Sequence, residues 1–322
     1  MSRLVVISNR VAVPKARGQA GAQGGLAGAL NAALKKTGGL WFGWSGEEVE
    51  DPSPEPAVGT YDGVTMATLD LAEQDVDEYY NGYANSTLWP LFHYRLDLTE
   101  YERETGMGYE RVNERFADAL APLIEPDDLI WVHDYHLIPL GDGLRRRGIK
   151  NRIGFFLHTP WPPTRLFVSL PFHERLVQSM LAYDLIGFQT EEWLESFVHY
   201  CRKELGAEVD EKSCRIDFEG RTVLARAYPI GIDYEHFKAE GETGEARNAQ
   251  QRLIASADMV PVDPDQIQPM GTDADRGIED EEPERPGHGR PMRSRNGPPT
   301  GSVGGPSRHR VSAHRNRRRT LR

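Results

Sequence analysis

The stretch LIWVHDYHLIPL, residues 129–140, closes an apolar run with His133, Asp134 and His136 inside four positions. Two imidazoles and a carboxylate so close together can ligate a metal, line a polar ligand pocket, or satisfy hydrogen bonds at the end of a strand. A metal needs donors that converge on one ion. These histidines are three apart at a strand end, not four apart on one helical face, and no nearby Cys or Glu completes a set. A pocket in which Asp134 accepts a sugar hydroxyl or a proton suits the residue types better. Hydrogen bonding within the core stays open for His133 and His136 individually. Arg10 follows the apolar run 3–7 almost at once. There a guanidinium can clamp a phosphate or carboxylate in two-pronged fashion, or make a surface ion pair. Gly24 and Gly25 open a helical stretch and can bring backbone N–H groups to a phosphate, or form a plain Gly/Ala loop. Residues 78–94 (EYYNGYANSTLWPLFHY) mix aromatic faces with amides and hydroxyls. That mixture suits a sugar ring, and equally a core corner with its tyrosine hydroxyls at the surface.

These residues need a scaffold. Residues 3–7 (RLVVI), 129–132, 152–157 (RIGFFL), 184–189 (DLIGFQ) and 221–228 read as buried strands, short and rich in β-branched or aromatic residues. Residues 41–44 and 64–69 add two more. Between them, 26–36, 73–80, 109–124, 137–147, 171–182 and 191–205 carry helical patterning, several ending at glycine. The alternation predicts an α/β domain with a doubly wound parallel sheet over residues 1–235. Ligands of such sheets bind outside the carboxyl ends of the strands. Ser8-Asn9-Arg10, His133-Asp134-Tyr135-His136, His158-Thr159 and Thr190 all follow strands, so four segments are expected to meet at one edge.

Composition sets the outer bounds. A chain of 322 residues suggests about two domains. From Arg285 onward there are 11 Arg and no Asp, Glu or Lys, so the body before it carries a net charge of −22 within the total of −11. An acidic body argues against nucleic acid or an anionic membrane as main partner. Cys201 and Cys214 are the only cysteines, expected as free thiols. The first apolar run is too short for a signal peptide or a membrane span, which predicts a cytoplasmic protein. Residues 236–257 read as a linker with one more helix. Residues 258–322, acidic and then Arg-rich without an aromatic, are expected to be disordered.

Eight segments then carry a resemblance. SNR at 8–10, GGL at 24–26, LWFGWSG at 40–46, DEYYNGYANSTLWPLFHY at 77–94, WVHDYHL at 131–137, RIGFFLHTPWPP at 152–163, DLIGFQT at 184–190 and YPIGID at 228–233 resemble, in order, the trehalose-6-phosphate synthase family over about residues 1–255. The resemblance implies the N-terminal Rossmann-like half of a GT-B fold. It also implies a retaining glycosyltransferase that joins the glucose of UDP-glucose to glucose 6-phosphate. By motif match Arg10 would grip the acceptor phosphate beside Tyr80. Trp41 and Trp89 would line the acceptor sugar, and Asp134 would hold its hydroxyls. Gly24 and Gly25 would approach the UDP phosphates, and His158 would lie near the donor glucose, making Asp134 and His158 the catalytic pair. No cofactor or metal is implied: UDP-glucose is a co-substrate, the partners are a sugar phosphate and a nucleotide sugar, and a homo-oligomer is compatible. Trp161 and Arg165 replace a more usual Phe and Glu, and are expected at the pocket rim. Residues 256–322 show neither a "VDRLDYSKG" nor a "DGMNLV" segment, which in the family hold the donor. Their composition resembles an out-of-frame reading, with a frameshift expected near 255–260. A truncated acceptor half that binds glucose 6-phosphate without turnover is the alternative.

Overall fold

The computed structural model describes residues 2–11, 13, 30, 34–35, 38–210, 212–231 and 234–257. The chain divides into a unit Met1–Glu240 and a unit Gly241–Arg322. In the second, the described residues form one helix over Gly244–Ala257. Gly24 and Gly25, and the tail from residue 258, lie outside the described residues.

Apolar runs build the first unit. β1 (Leu4–Arg10), β2 (Leu40–Glu48), β3 (Ala57–Tyr61), β4 (Val64–Leu71), β5 (Leu129–His133), β6 (Arg152–Phe156), β7 (Leu185–Phe188), β8 (Glu208–Asp210), β9 (Arg215–Phe218) and β10 (Arg221–Ala227) form one sheet. Its order is β3-β4-β2-β1-β5-β6-β7-β10-β9-β8. The seven strands from β4 to β10 are parallel, and β3, β9 and β8 add antiparallel edges. From β1 the chain steps outward through β2 to β4, returns to β5 on the other side of β1, and steps outward again. The strand order therefore reverses between β1 and β5, where doubly wound sheets open a ligand crevice.

Side chains of alternate residues face opposite sides of the sheet. Val5, Ile7, Phe42, Leu69, Ile130, Val132, Ile153, Phe155, Ile186 and Phe188 pack into the larger core. The helices over it are α1 (Val76–Leu88, flanked by turns at Glu73–Asp75 and Trp89–Phe92), α2 (Arg103–Leu120), α3 (Leu140–Arg146), α4 (His173–Met180) and α5 (Glu191–Glu204). None of the described helices is long and apolar enough to cross a membrane. On the opposite face Val6, Trp41, Val64 and Met66 meet Val11, Leu30 and Leu34. Beyond β1, this face opens into a trough of about 1110 Å³ lined by Trp131, Phe156, Leu185, Leu224, Tyr228 and Ile230, among others.

Three expectations change. The helix expected over 137–147 is broken: Tyr135–Leu137 is a 3-10 turn, and α3 starts only after Pro139. Proline has no N–H for an internal helical bond, so it sits where the new helix begins. Residues 76–88 continue the helix expected over 73–80, but with π-helical pairing, the Trp89 N–H donating to the carbonyl of Ala84. Trp161, expected at the rim, is fully buried against Phe92, Phe167 and Phe197.

Candidate sugar phosphate and donor site

The ends of β1 and β2 bring a cation onto aromatic rings. Their parallel pairing sets Arg10 opposite Trp44. The Arg10 guanidinium lies 5.6 Å from the Trp44 ring centroid, a cation–π approach. Gly46 leaves room for it: a Cβ there would overlap the guanidinium, and its φ of 89° is one that glycine adopts readily. Trp44 in turn lies 5.6 Å from Tyr80 of α1. Arg3, Arg111, Arg145 and Arg221 are each paired with carboxylates, Asp128, Asp75, Asp184 and Asp184 respectively. Arg10 is exposed and pairs with no described carboxylate. A ring-backed guanidinium with no carboxylate partner among the described residues, at a switch point, is suited to an anion.

α1 extends the wall. Five-residue pairing is typical of helix segments at functional sites. The Tyr80 ring stacks on His136 (5.7 Å, 16°), which also stacks on Tyr135 (4.0 Å, 29°). The Tyr135 hydroxyl donates to Asn85 Oδ1 at 2.9 Å, and the Tyr79 hydroxyl donates to Asn9 Oδ1 at 2.7 Å. Both ring nitrogens of His136 are buried without a hydrogen-bond partner among the described residues. Burial holds this imidazole neutral, its pKa lowered to about 3.

Across the switch point, Asp134 ends β5. Its φ of 76° and ψ of 166° fall in a region occupied almost only by glycine, and strain of that kind collects at functional sites. Three contacts hold it. Its N–H donates to the Phe156 carbonyl at 2.8 Å, and its Oδ1 accepts from the N–H groups of Tyr135 (3.0 Å) and His158 (3.3 Å). Oδ2 makes no hydrogen bond among the described residues. Burial raises the carboxyl to about 6, with the two backbone N–H groups working against that rise. Beside it, His133 Nδ1 and His158 Nε2 are 3.0 Å apart. Burial lowers His133 to about 3, aided by His158, and lowers His158 to about 4.

The structure thus brings Arg10 and Tyr80 together through Trp44, and Asp134 together with His158. It moves Trp41 elsewhere. That residue, expected to line the acceptor sugar, is only 1% exposed in the smaller core, with its indole N–H donating to Ser8 Oγ at 2.8 Å. Trp41 and Trp44 are three apart in one strand, so they face opposite sides, and Trp44 is the one on the site's side. Trp89 is 43% exposed and its ring lies 4.2 Å from His93, tilted by 32°; no ring contact among the described residues joins it to the cluster. Trp44 is the residue of this cluster that sequence reasoning did not single out. Sequence alone carried no signal for it, because the β1–β2 register shifts between Ile7 and Arg10. His133, Asp134 and His136 turn to different neighbours, and no three potential ligands converge among the described residues.

The glycosyltransferase family 20 model matches residues 2–259. The chain is 49% identical over 239 residues to the trehalose-6-phosphate synthase of Sinorhizobium fredii (strain NGR234), covering 74% of this chain and 51% of that one. It is 48% identical over 235 residues to the synthase of Cronobacter sakazakii, covering 73% and 49%. A crystal structure of the UDP-forming α,α-trehalose-phosphate synthase of Burkholderia xenovorans with glucose 6-phosphate superposes with a TM-score of 0.70 at 44% identity, over 78% of this chain and 56% of that one. The chain spans about half the length of the curated relatives it matches. It belongs to glycosyltransferase family 20.

Proposed function

We propose that this chain forms the acceptor half of a UDP-forming α,α-trehalose-phosphate synthase, which moves glucose from UDP-glucose to glucose 6-phosphate and releases UDP. The observation that carries this reading is Arg10, paired with no carboxylate among the described residues, seated on Trp44 beside Tyr80, across the switch point from Asp134. Arg10 takes the acceptor phosphate, Tyr80 and Trp89 flank the sugar, and Asp134 Oδ2 accepts from a sugar hydroxyl. Above its pKa of about 6 the Asp134 carboxyl is ionised and accepts only. His158 faces the donor glucose. In the transfer, the bond from C1 to the UDP oxygen breaks as the acceptor hydroxyl oxygen bonds to C1 on the same face. The hydroxyl proton passes to the departing phosphate oxygen, so no enzyme nucleophile and no metal is assigned a role. The protein contributes position and charge stabilisation. Bacterial relatives and the absence of a membrane-crossing helix among the described residues agree with a cytoplasmic setting.

A second reading concerns the matched half alone: it carries the acceptor-side residues and would by itself bind glucose 6-phosphate without turnover. Calorimetric titration with glucose 6-phosphate tests the shared claim, and loss of binding in wild type would end both readings. UDP release from UDP-glucose and glucose 6-phosphate separates them: turnover supports the synthase, and binding without turnover supports the acceptor half.

A further inference from the structure

We propose that His133 is a positioning residue for His158, holding it in the tautomer that presents Nδ1–H to the donor sugar. This rests on the reading of the crevice as a sugar site. The pairing of β5 with β6 sets His133 opposite Phe156, and His158 follows two residues later. His133 Nδ1 and His158 Nε2 are 3.0 Å apart, with ring centroids at 5.3 Å and planes 26° apart. Both rings are wedged: Trp131 lies 4.3 Å from His133, and Phe156 lies 4.7 Å from His158. The backbone of His158 is tied to Asp134 Oδ1. The imidazole of His158 therefore has one nitrogen committed, and Nδ1 is the one still available to a ligand.

A neutral imidazole has one N–H and one lone pair, so the shared bond has two assignments. In the first, His133 Nδ1–H donates to His158 Nε2, and His158 carries its proton on Nδ1. His133 Nε2 is then a lone pair. In the second, His158 Nε2–H donates to His133, whose own proton must sit on Nε2. That atom is buried with no hydrogen-bond partner among the described residues. A buried donor without an acceptor is rarer and more costly than an under-used acceptor. The first assignment follows, and it makes His158 Nδ1 a hydrogen-bond donor to a sugar oxygen. Neutrality of both rings, kept by burial, lets the pair hold this arrangement through the neutral pH range.

The test is long-range 1H–15N correlation on the full chain labelled at histidine, with the His158 signals assigned by their loss in His158→Gln. At pH 7, wild-type His158 should show a protonated Nδ1 and an unprotonated Nε2, the reverse of the preference of free histidine. His133→Phe, which keeps a ring but has no donor, should return His158 to mainly Nε2–H. His133→Asn places an amide N–H near the lost Nδ1–H and should restore the Nδ1–H form. A wild-type His158 protonated at Nε2, or a tautomer unmoved by His133→Phe, overturns the proposal. Titration of the same wild-type sample with glucose 6-phosphate is independent. If no binding occurs while His158 keeps Nδ1–H and His133→Phe reverses it, the sugar-site reading fails and the positioning role stands.

Discussion

Replacing Asp134 by Asn removes a charge from the crevice and nearly keeps its shape. Burial lifts this carboxyl from 3.8 to about 6 in the folded chain. Between those pH values the unfolded chain loses the proton while the folded chain keeps it, so stability falls as pH rises through the window. Such a rise corresponds to about 3 kcal/mol forgone above pH 6, and about 2–3 kcal/mol after allowance for partial exposure. The Asn side chain still offers an oxygen to the N–H groups of Tyr135 and His158. Asp134→Asn should therefore stabilise the chain at pH 7.5 and raise Tm by roughly 4–12 °C. The difference should close by about pH 4, where both chains are uncharged at this position. Glucose 6-phosphate affinity should move the other way, falling about 10- to 100-fold as a charge-assisted hydroxyl contact weakens. Thermal unfolding by circular dichroism from pH 4 to 8, with calorimetric titration at pH 7.5, gives both readouts. A variant no more stable than wild type at pH 7.5, or a gain equally large at pH 4, would refute the electrostatic argument. Asp134→Gly compared with Asp134→Asn isolates the backbone contribution, because both lack the carboxyl while glycine tolerates φ 76°, ψ 166°, and the glycine variant should be relieved of about 1–3 kcal/mol of backbone strain at every pH.

Arg10→Ala should weaken glucose 6-phosphate binding about 10- to 100-fold while leaving the weak binding of unphosphorylated glucose unchanged, as read by calorimetry. Gly46→Ala should push in the same direction by several-fold, since its Cβ displaces the Arg10 guanidinium. Trp44→Ala should lower ligand affinity, whereas Trp41→Ala should cost about 3–5 kcal/mol of stability measured by denaturant unfolding. Dialysis against a chelator should leave glucose 6-phosphate affinity unchanged. The apolar trough over β5, β6, β7 and β10 should bind a hydrophobic fluorescent dye. Ile230→Glu together with Leu224→Lys, at positions 75% and 39% exposed, should reduce that fluorescence severalfold.

The sequence made the interior of the sheet legible because fully buried parallel strands need continuous apolar runs, and LVVI, LIWV and RIGFF are such runs. The edges were not. β3 (AVGTY) is mostly exposed, and β8 and β9 hold only EVD and RIDF. Their strand character comes from pairing, β3 with β4, β9 with β10 and β8 with β9, which no local pattern encodes. α1 contains Gly82, Asn81, Asn85 and Ser86, all poor helix formers. What holds it is tertiary: Tyr79, Tyr83 and Leu88 are buried in the main core, Tyr83 packing on Tyr109 of α2 at 4.7 Å.

The site divides along the same line. Arg10, Asp134 and His158 could be picked out because each lies at or just past the end of a strand, and the carboxyl ends of parallel strands share one edge. The partner of Arg10 could not be picked out by motif alone, since LWFGW offers two tryptophans. Pairing of β1 with β2 decides it: Val6 stands opposite Trp41, deep in the sheet, and Arg10 opposite Trp44, at its edge. Trp41 also points away from the helical layer, so no rotation of its ring would reach Tyr80 or His136 without unzipping the smaller core. A tryptophan at position 44 can bury its face against the main core, give one side to Tyr80 and still carry a guanidinium. The aromatic that positions the cation is thus set by sheet register and not by residue type.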